Sequence, residues 1–97
     1  MKKFLIFSIF LMMSIIGHAS SVILAWNPSI DKTVIGYKLY YSTTKSLSNP
    51  TIVNVGNCVK AKISNLKHGR TYYFILTAYN SQGMESMPTN KIHTVIK

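Results

Sequence analysis

Acid is what this sequence lacks. Asp31 and Glu85 are its only two carboxylate side chains, against eleven Lys and Arg. They lie in separate polar segments, so no carboxylate pair of the glycosidase kind can be placed. Cysteine is almost absent as well. Cys58 alone excludes an internal disulfide framework, and no His or Asn stands where it would activate that thiol as a nucleophile. His68 and His93 have no Cys, His or carboxylate at metal-ligand spacing. There is no glycine-rich phosphate loop and no Arg-Gly-Asp. The triplets Asn27-Pro28-Ser29 and Asn49-Pro50-Thr51 carry Pro where a glycosylation acceptor forbids it. Apolar residues never recur at helical spacing. The sequence thus offers no catalytic, cofactor or metal site, and an enzyme is not expected.

The N-terminus has a different composition from the rest. Lys2 and Lys3 precede an apolar run from Phe4 to Ile16, broken only by Ser8 and Ser14. Gly17-His18-Ala19 then places small residues where a signal peptidase cuts. This reads as a secretory signal peptide over residues 1–19, with the domain at 20–97. The run is shorter than the roughly 20 apolar residues of a membrane span, so no transmembrane span is expected after cleavage. The expected address is exported, periplasmic or extracellular. There a lone thiol is unusual: Cys58 is expected either to be shielded at the start of a strand or to link two chains. Removing Lys2 and Lys3 takes the formal charge from +9 to +7. Such a balance suits anionic partners, but the cations are scattered without a block. Solubility is the simpler reading, and no nucleic-acid partner is expected.

The remaining chain alternates with period two. Val22, Leu24 and Trp26 share a face, and the strand they predict stops at Pro28. Tyr37, Leu39 and Tyr41 lie opposite Lys38, Tyr40 and Ser42. Ile52 to Val55 is a short strand ended by Gly56-Asn57. Val59, Ala61 and Ile63 alternate with Lys60, Lys62 and Ser64, predicting a half-buried strand. Leu66 to Asn80 forms a turn at Gly69 and the longest strand, with Tyr72, Phe74, Leu76 and Ala78 on one face and Tyr73, Ile75, Thr77 and Tyr79 on the other. Asn80 to Pro88 is a loop, and Ile92 to Ile96 a last strand. Six short strands with regular turn signals predict an all-β antiparallel sandwich.

Four motifs in order sharpen this: W-x-P at Trp26 and Pro28, G-Y-K-L-Y-Y at Gly36 to Tyr41, L-x-x-G-x-x-Y-x-F-x-L-x-A at Leu66 to Ala78, and N-S-Q-G-M-E-S at Asn80 to Ser86. Together they resemble strands B, C, E–F and F–G of exported bacterial fibronectin type III domains, an immunoglobulin-like sandwich. The resemblance implies Trp26 in the core on strand B, and Tyr72 as a corner residue whose hydroxyl bonds back to the preceding turn. Two departures stand out. His68 occupies a position that usually carries Pro. Cleavage after Ala19 leaves only Ser20 and Ser21 before Val22, so strand A is expected to be short or missing and strand B to have an open edge.

The expected core is Val22, Leu24, Trp26, Tyr37, Leu39, Tyr41, Val59, Ala61, Ile63, Leu66, Tyr72, Phe74, Leu76, Ala78 and Ile92. What remains for function is surface. Tyr40, Tyr73, Ile75 and Tyr79 have outward parity on neighbouring strands, with Lys38 beside them, and form one candidate ligand face. The loop of Gln82, Gly83, Met84 and Glu85 is the other candidate. The expected function is an exported, non-enzymatic binding module whose partner is a protein or an envelope glycan, an anionic one being suited by the net charge. The alternatives are a carbohydrate-binding accessory on the cell envelope and a structural subunit assembling through its open edge. A homodimer through Cys58 or the strand-B edge belongs to the last of these.

Overall fold

Period-two alternation selects strands throughout. The computed structural model describes residues 14–18 and 20–97, and these form seven strands: β1 (Ser14–His18), β2 (Ser21–Ala25), β3 (Val34–Ser42), β4 (Thr51–Gly56), β5 (Lys60–Ile63), β6 (Thr71–Asn80) and β7 (Ile92–Val95). They make two antiparallel sheets, ordered β1-β2-β5 and β4-β3-β6-β7. Most of the segment expected to be a signal peptide, residues 1–13 and Ala19, lies outside the described residues.

The large sheet is built on the β3–β6 ladder. Tyr37 stands opposite Ala78, Leu39 opposite Leu76 and Tyr41 opposite Phe74. Facing residues in an antiparallel pair share a side, so these turn inward while Lys38, Tyr40, Ser42, Tyr73, Ile75 and Thr77 turn outward. A one-residue slip would bury Lys38 and expose Leu39, and this fixes the register. Val22, Leu24 and Ile63 of the small sheet meet Tyr37, Leu39, Phe74, Leu76 and Ala78 across the interior, and Trp26, Leu66, Tyr72 and Ile96 close it. Each large apolar side chain contributes about 1.5 to 3 kcal/mol by burial. Trp26 sets its ring edge-on to Tyr37, with centroids 5.8 Å apart. The Tyr37 hydroxyl accepts the Ser29 N–H at 2.6 Å, tying down the loop after β2.

The corner forms as the motif implies. Gly69 takes φ +80°, a conformation costly for other residues. The Tyr72 hydroxyl accepts the Lys67 N–H at 3.0 Å. The far end of the chain reinforces this turn. Gly69 N–H donates to the Ile96 carbonyl at 2.6 Å, and Ile96 N–H donates to the Arg70 carbonyl at 2.9 Å. Ile96 is thereby buried, whereas Ile92, expected in the core, only packs partly against it.

Two sequence expectations need correction here. Cys58 is exposed, not shielded. Gly56, at φ +64°, ends β4, and Cys58 then sits in the connection outside both ladders. Val59, expected in the core, is 39 % exposed. Its carbonyl accepts the Trp26 N–H at 3.0 Å, but β5 begins one residue later, and the residue stays partly open to solvent. Strand A is short, as expected: β1 pairs with β2 from Ser14 opposite Ala25 to His18 opposite Ser21. The β2 edge expected to be open is therefore occupied in the full chain.

Candidate functional site

The outer face of the β4-β3-β6-β7 sheet holds most of the candidate residues. Register arranges them in cross-strand rows. Ile52, Tyr40 and Ile75 form one row, and Ser42, Tyr73 and His93 form the next. A third row, Asn54, Lys38 and Thr77, lies on the other side of Tyr40. Tyr40, Tyr73, Ile75 and Tyr79 are half-buried, less open than outward parity alone suggests.

The loop after β6 accounts for part of that cover. The Asn80 side chain accepts the N–H groups of Gln82 and Met84, each at 3.0 Å, in a tight turn that uses Gly83 at φ +80°. The turn sends the chain back along β6. Ser86 N–H donates to the Ala78 carbonyl at 2.7 Å, and Ser86 Oγ accepts the Ala78 N–H at 2.9 Å. Thr89 repeats this exchange with Leu76, its N–H donating at 2.9 Å and its Oγ1 accepting at 3.0 Å. Two hydroxyls thus stand in for ladder groups along a stretch that contains Pro88, which cannot donate.

Glu85 is consequently not a projecting loop residue, which corrects the sequence expectation: it is 2 % exposed. The returning loop makes a bridge with Tyr79, and the Glu85 side chain lies on the sheet's outer face. There its carboxylate accepts the Tyr40 hydroxyl and the Thr77 hydroxyl at 2.9 Å, with the Lys38 ammonium 3.6 Å away. Buried charge requires such partners. Thr77, outward by parity, is only 4 % exposed. The Tyr40 phenol is pushed up to about 12, chiefly by burial and then by its bond to Glu85 and the charge there. It remains a neutral donor across the physiological range.

Tyr79 is also tied down. Its hydroxyl donates to Asn54 Oδ1 at 2.9 Å, Lys38 Nζ lies 5.6 Å from its ring centroid, and its ring covers Gly36, where any Cβ would collide with it. Tyr40 and Tyr79 therefore brace the loop and β4 to the sheet. Tyr73 differs. Its ring packs on His93 at 5.6 Å, with Lys91 Nζ 5.9 Å above it, and its hydroxyl has no protein partner among the described residues. With Ile75 and Ile52, the latter 55 % exposed, it forms the open part of the face. Ile52, Lys91 and His93 escaped the sequence reading. The outward parity of Ile52 becomes informative once β4 is placed beside β3.

Of the candidate loop, Gln82 and Gly83 remain exposed at the turn tip and Met84 is half-buried. Among the described residues no three His, Cys, Asp or Glu side chains are grouped to hold a metal.

Two facing antiparallel sheets of three and four strands, with a tyrosine corner and a strand-B tryptophan, define a β-sandwich of immunoglobulin-like architecture. The chain belongs to the fibronectin type III family, whose domain model matches residues 13–95. It is 39 % identical over 66 residues to a Kelch domain-containing protein of Saccharolobus solfataricus, a match covering 68 % of this chain and 9 % of that protein. Solved structures share the fold at lower identity. The FN1–FN3 domains of chicken CNTN1 superpose with a TM-score of 0.77 at 23 % identity, covering 91 % of this chain and 31 % of that one. An Fn3-like protein from Clostridium thermocellum gives 0.74 at 15 % identity, covering 92 % and 94 % of the two chains. Domains of this family generally serve as interaction or structural modules.

Proposed function

We propose that this chain is an exported, non-enzymatic interaction module that takes an acidic protein partner on the outer face of its four-stranded sheet. One observation carries the reading: the Ile52–Tyr40–Ile75 and Ser42–Tyr73–His93 rows lie side by side. They form an aromatic and aliphatic surface whose basic rim is Lys91, over the Tyr73 ring, and the neighbouring Lys45; Lys38 is already paired with Glu85. Interfaces draw their affinity from such half-buried aromatic anchors, and the basic rim steers an anionic partner toward them. Export is supported by the basic and apolar N-terminus of the sequence.

A glycan is less well suited than a protein to this face. A stacked sugar would have to displace Lys91 Nζ, 5.9 Å from the Tyr73 centroid, or Lys38 Nζ, 5.6 Å from the Tyr79 centroid. Two of the three hydroxyls also have internal partners.

Cross-linking mass spectrometry of the exported protein in its native envelope tests the assignment. Cross-links to a partner are expected at Lys91 and Lys45, and Ile52→Ser with Tyr73→Ser should weaken that capture by about 2 kcal/mol, the size of a hot spot. Cross-links confined to Lys60 and Lys62 on β5, and indifferent to the double substitution, would place the interface on the other sheet and reject the proposal.

A further inference from the structure

One segment carries two readings. Residues 14–18 form β1, the edge strand of the small sheet. The same residues end the apolar run of the expected signal peptide, and the expected cut after Ala19 falls in the connection between β1 and β2. Cutting there would remove β1 from the chain and leave the backbone of Ser21 to Ala25 without its neighbour on that side. On the other side β2 stays paired with β5, from Val22 opposite Ile63 to Ala25 opposite Lys60.

We infer that processing after Ala19 makes the β2 edge an acceptor for an extended, uncharged strand supplied by a partner protein. This inference rests on the export reading above. Exposed strand edges bind extended segments through main-chain hydrogen bonds, with alternate positions giving specificity. The occupant seen in the full chain defines what fits. It runs antiparallel to β2 and contains no Asp, Glu, Lys or Arg. Ile15 stands at the register position opposite Leu24, and Gly17 at the position opposite Val22. Leu24 and Val22 are both 0 % exposed and belong to the core. A strand taking the place of β1 therefore needs an apolar residue opposite Leu24 and a small one opposite Val22.

A second copy of this chain is the weaker occupant. Each processed chain carries a formal charge of +7 once Lys2 and Lys3 are gone from the +9 of the full sequence. Lys60 and Lys62 lie on β5 directly beside the acceptor strand, and edge-adjacent cations oppose pairing of like chains.

The test uses the exported protein as the cell makes it. Intact mass first fixes its N-terminus. A synthetic peptide of residues 13–19 is then titrated in, followed through the emission of Trp26, the only tryptophan, which directly follows β2. The expected result is a chain beginning at Ser20 and a saturable spectral change. A peptide with Pro in place of Ile16, opposite Ile23, should bind at least about tenfold more weakly, because Pro lacks the ladder donor. If the processed chain melts without cooperativity alone and cooperatively with the peptide, that equally supports the inference. A chain that keeps residues 14–18 overturns it along with the expected cut. A chain that begins at Ser20, melts cooperatively and ignores the peptide overturns the acceptor edge while leaving export intact. A processed dimer that the peptide does not dissociate assigns the edge to a second copy and also overturns it.

Discussion

The two sheets solve the problem of sheet edges differently. In the four-stranded sheet the long strands β3 and β6, of nine and ten residues, sit in the centre and pair along most of their length. Their flanks are covered twice: β4 on one side, and β7 together with the returning Glu85–Thr89 segment on the other. In the three-stranded sheet the strands have five, five and four residues. Its outer strand, β1, comes from residues that the sequence reading places at the end of a signal peptide. The large sheet is cross-braced on its outer face by its own strands and the returning loop. The small sheet would lose its outer strand if processing removes β1, as proposed above. Both halves share one core, so the contrast can be probed from either side.

Trp26→Ala should have the largest effect. Trp26 follows β2 immediately and is 5 % exposed, with its ring against Tyr37 of the other sheet. Removing it leaves a cavity at the junction of the sheets and should cost about 3 to 5 kcal/mol. Urea unfolding followed by tyrosine fluorescence or circular dichroism measures this. An unchanged midpoint would mean that the small sheet does not rely on this junction.

Glu85→Gln tests the large sheet's own bracing. The amide keeps the shape but not the charge that holds the Tyr40 and Thr77 hydroxyls and faces Lys38. A loss of about 2 kcal/mol is expected, within the range for hydrogen bonds to charged groups. Protease nicking in the 81–89 loop should rise with it. If the loop stays as resistant and the midpoint unmoved, the carboxylate is not what fastens the loop to the sheet.

These two residues show what was legible in the sequence. Trp26 could be read because packing dominates its position: period-two parity, the stop at Pro28 and the motif all agree. The β3–β6 register was legible for the same reason. Glu85 was not, because its burial depends on partners distant in sequence: Tyr40 and Lys38 on β3, and a threonine whose parity points outward. Cys58 and Val59 were misplaced because the alternation Val59, Ala61, Ile63 continues one residue beyond the end of the strand, and nothing in that pattern marks where the ladder begins. Strand A was legible only as short or missing, because an apolar edge strand and the end of a signal's apolar run have the same composition. The outer-face rows were half legible. Parity gave Tyr40, Tyr73, Ile75 and Tyr79, but not the neighbours β4 and β7 that add Ile52 and His93.

Tyr72→Phe should have a smaller effect. The ring stays packed, and the loss is one hydrogen bond from the Lys67 N–H at 3.0 Å. Lys67 is exposed, so water can reach the freed donor, and a loss of about 1 kcal/mol is expected, near the lower end for an unsatisfied group. Coincident urea midpoints would show that the corner is held instead by Gly69 and Ile96, and that the corner hydroxyl adds nothing to the large sheet.

The smallest effect is confined to alkaline pH and isolates the Tyr40–Glu85 brace without cutting any packing. The Tyr40 phenol is raised from its ordinary 10.0 to about 12, first by burial, then by the hydrogen bond to Glu85 and its negative charge, with the Thr77 bond opposing. The fold therefore favours the protonated phenol over the phenolate. The stabilisation is fully present below about pH 10 and is lost as pH rises toward about 12. Lysines and the other tyrosines titrate in the same window, so the difference between two proteins is the quantity to read. Urea midpoints measured from pH 9 to 12 should fall more steeply for the native chain than for Tyr40→Phe, which has no proton to lose and no bond to break. The two curves should converge toward the alkaline end. Parallel curves would mean that Tyr40 is neither buried against the loop nor bonded to Glu85 in solution. The phenol would then be free on the outer face, and the fastening of the loop to the large sheet would fall to Thr77 and Lys38.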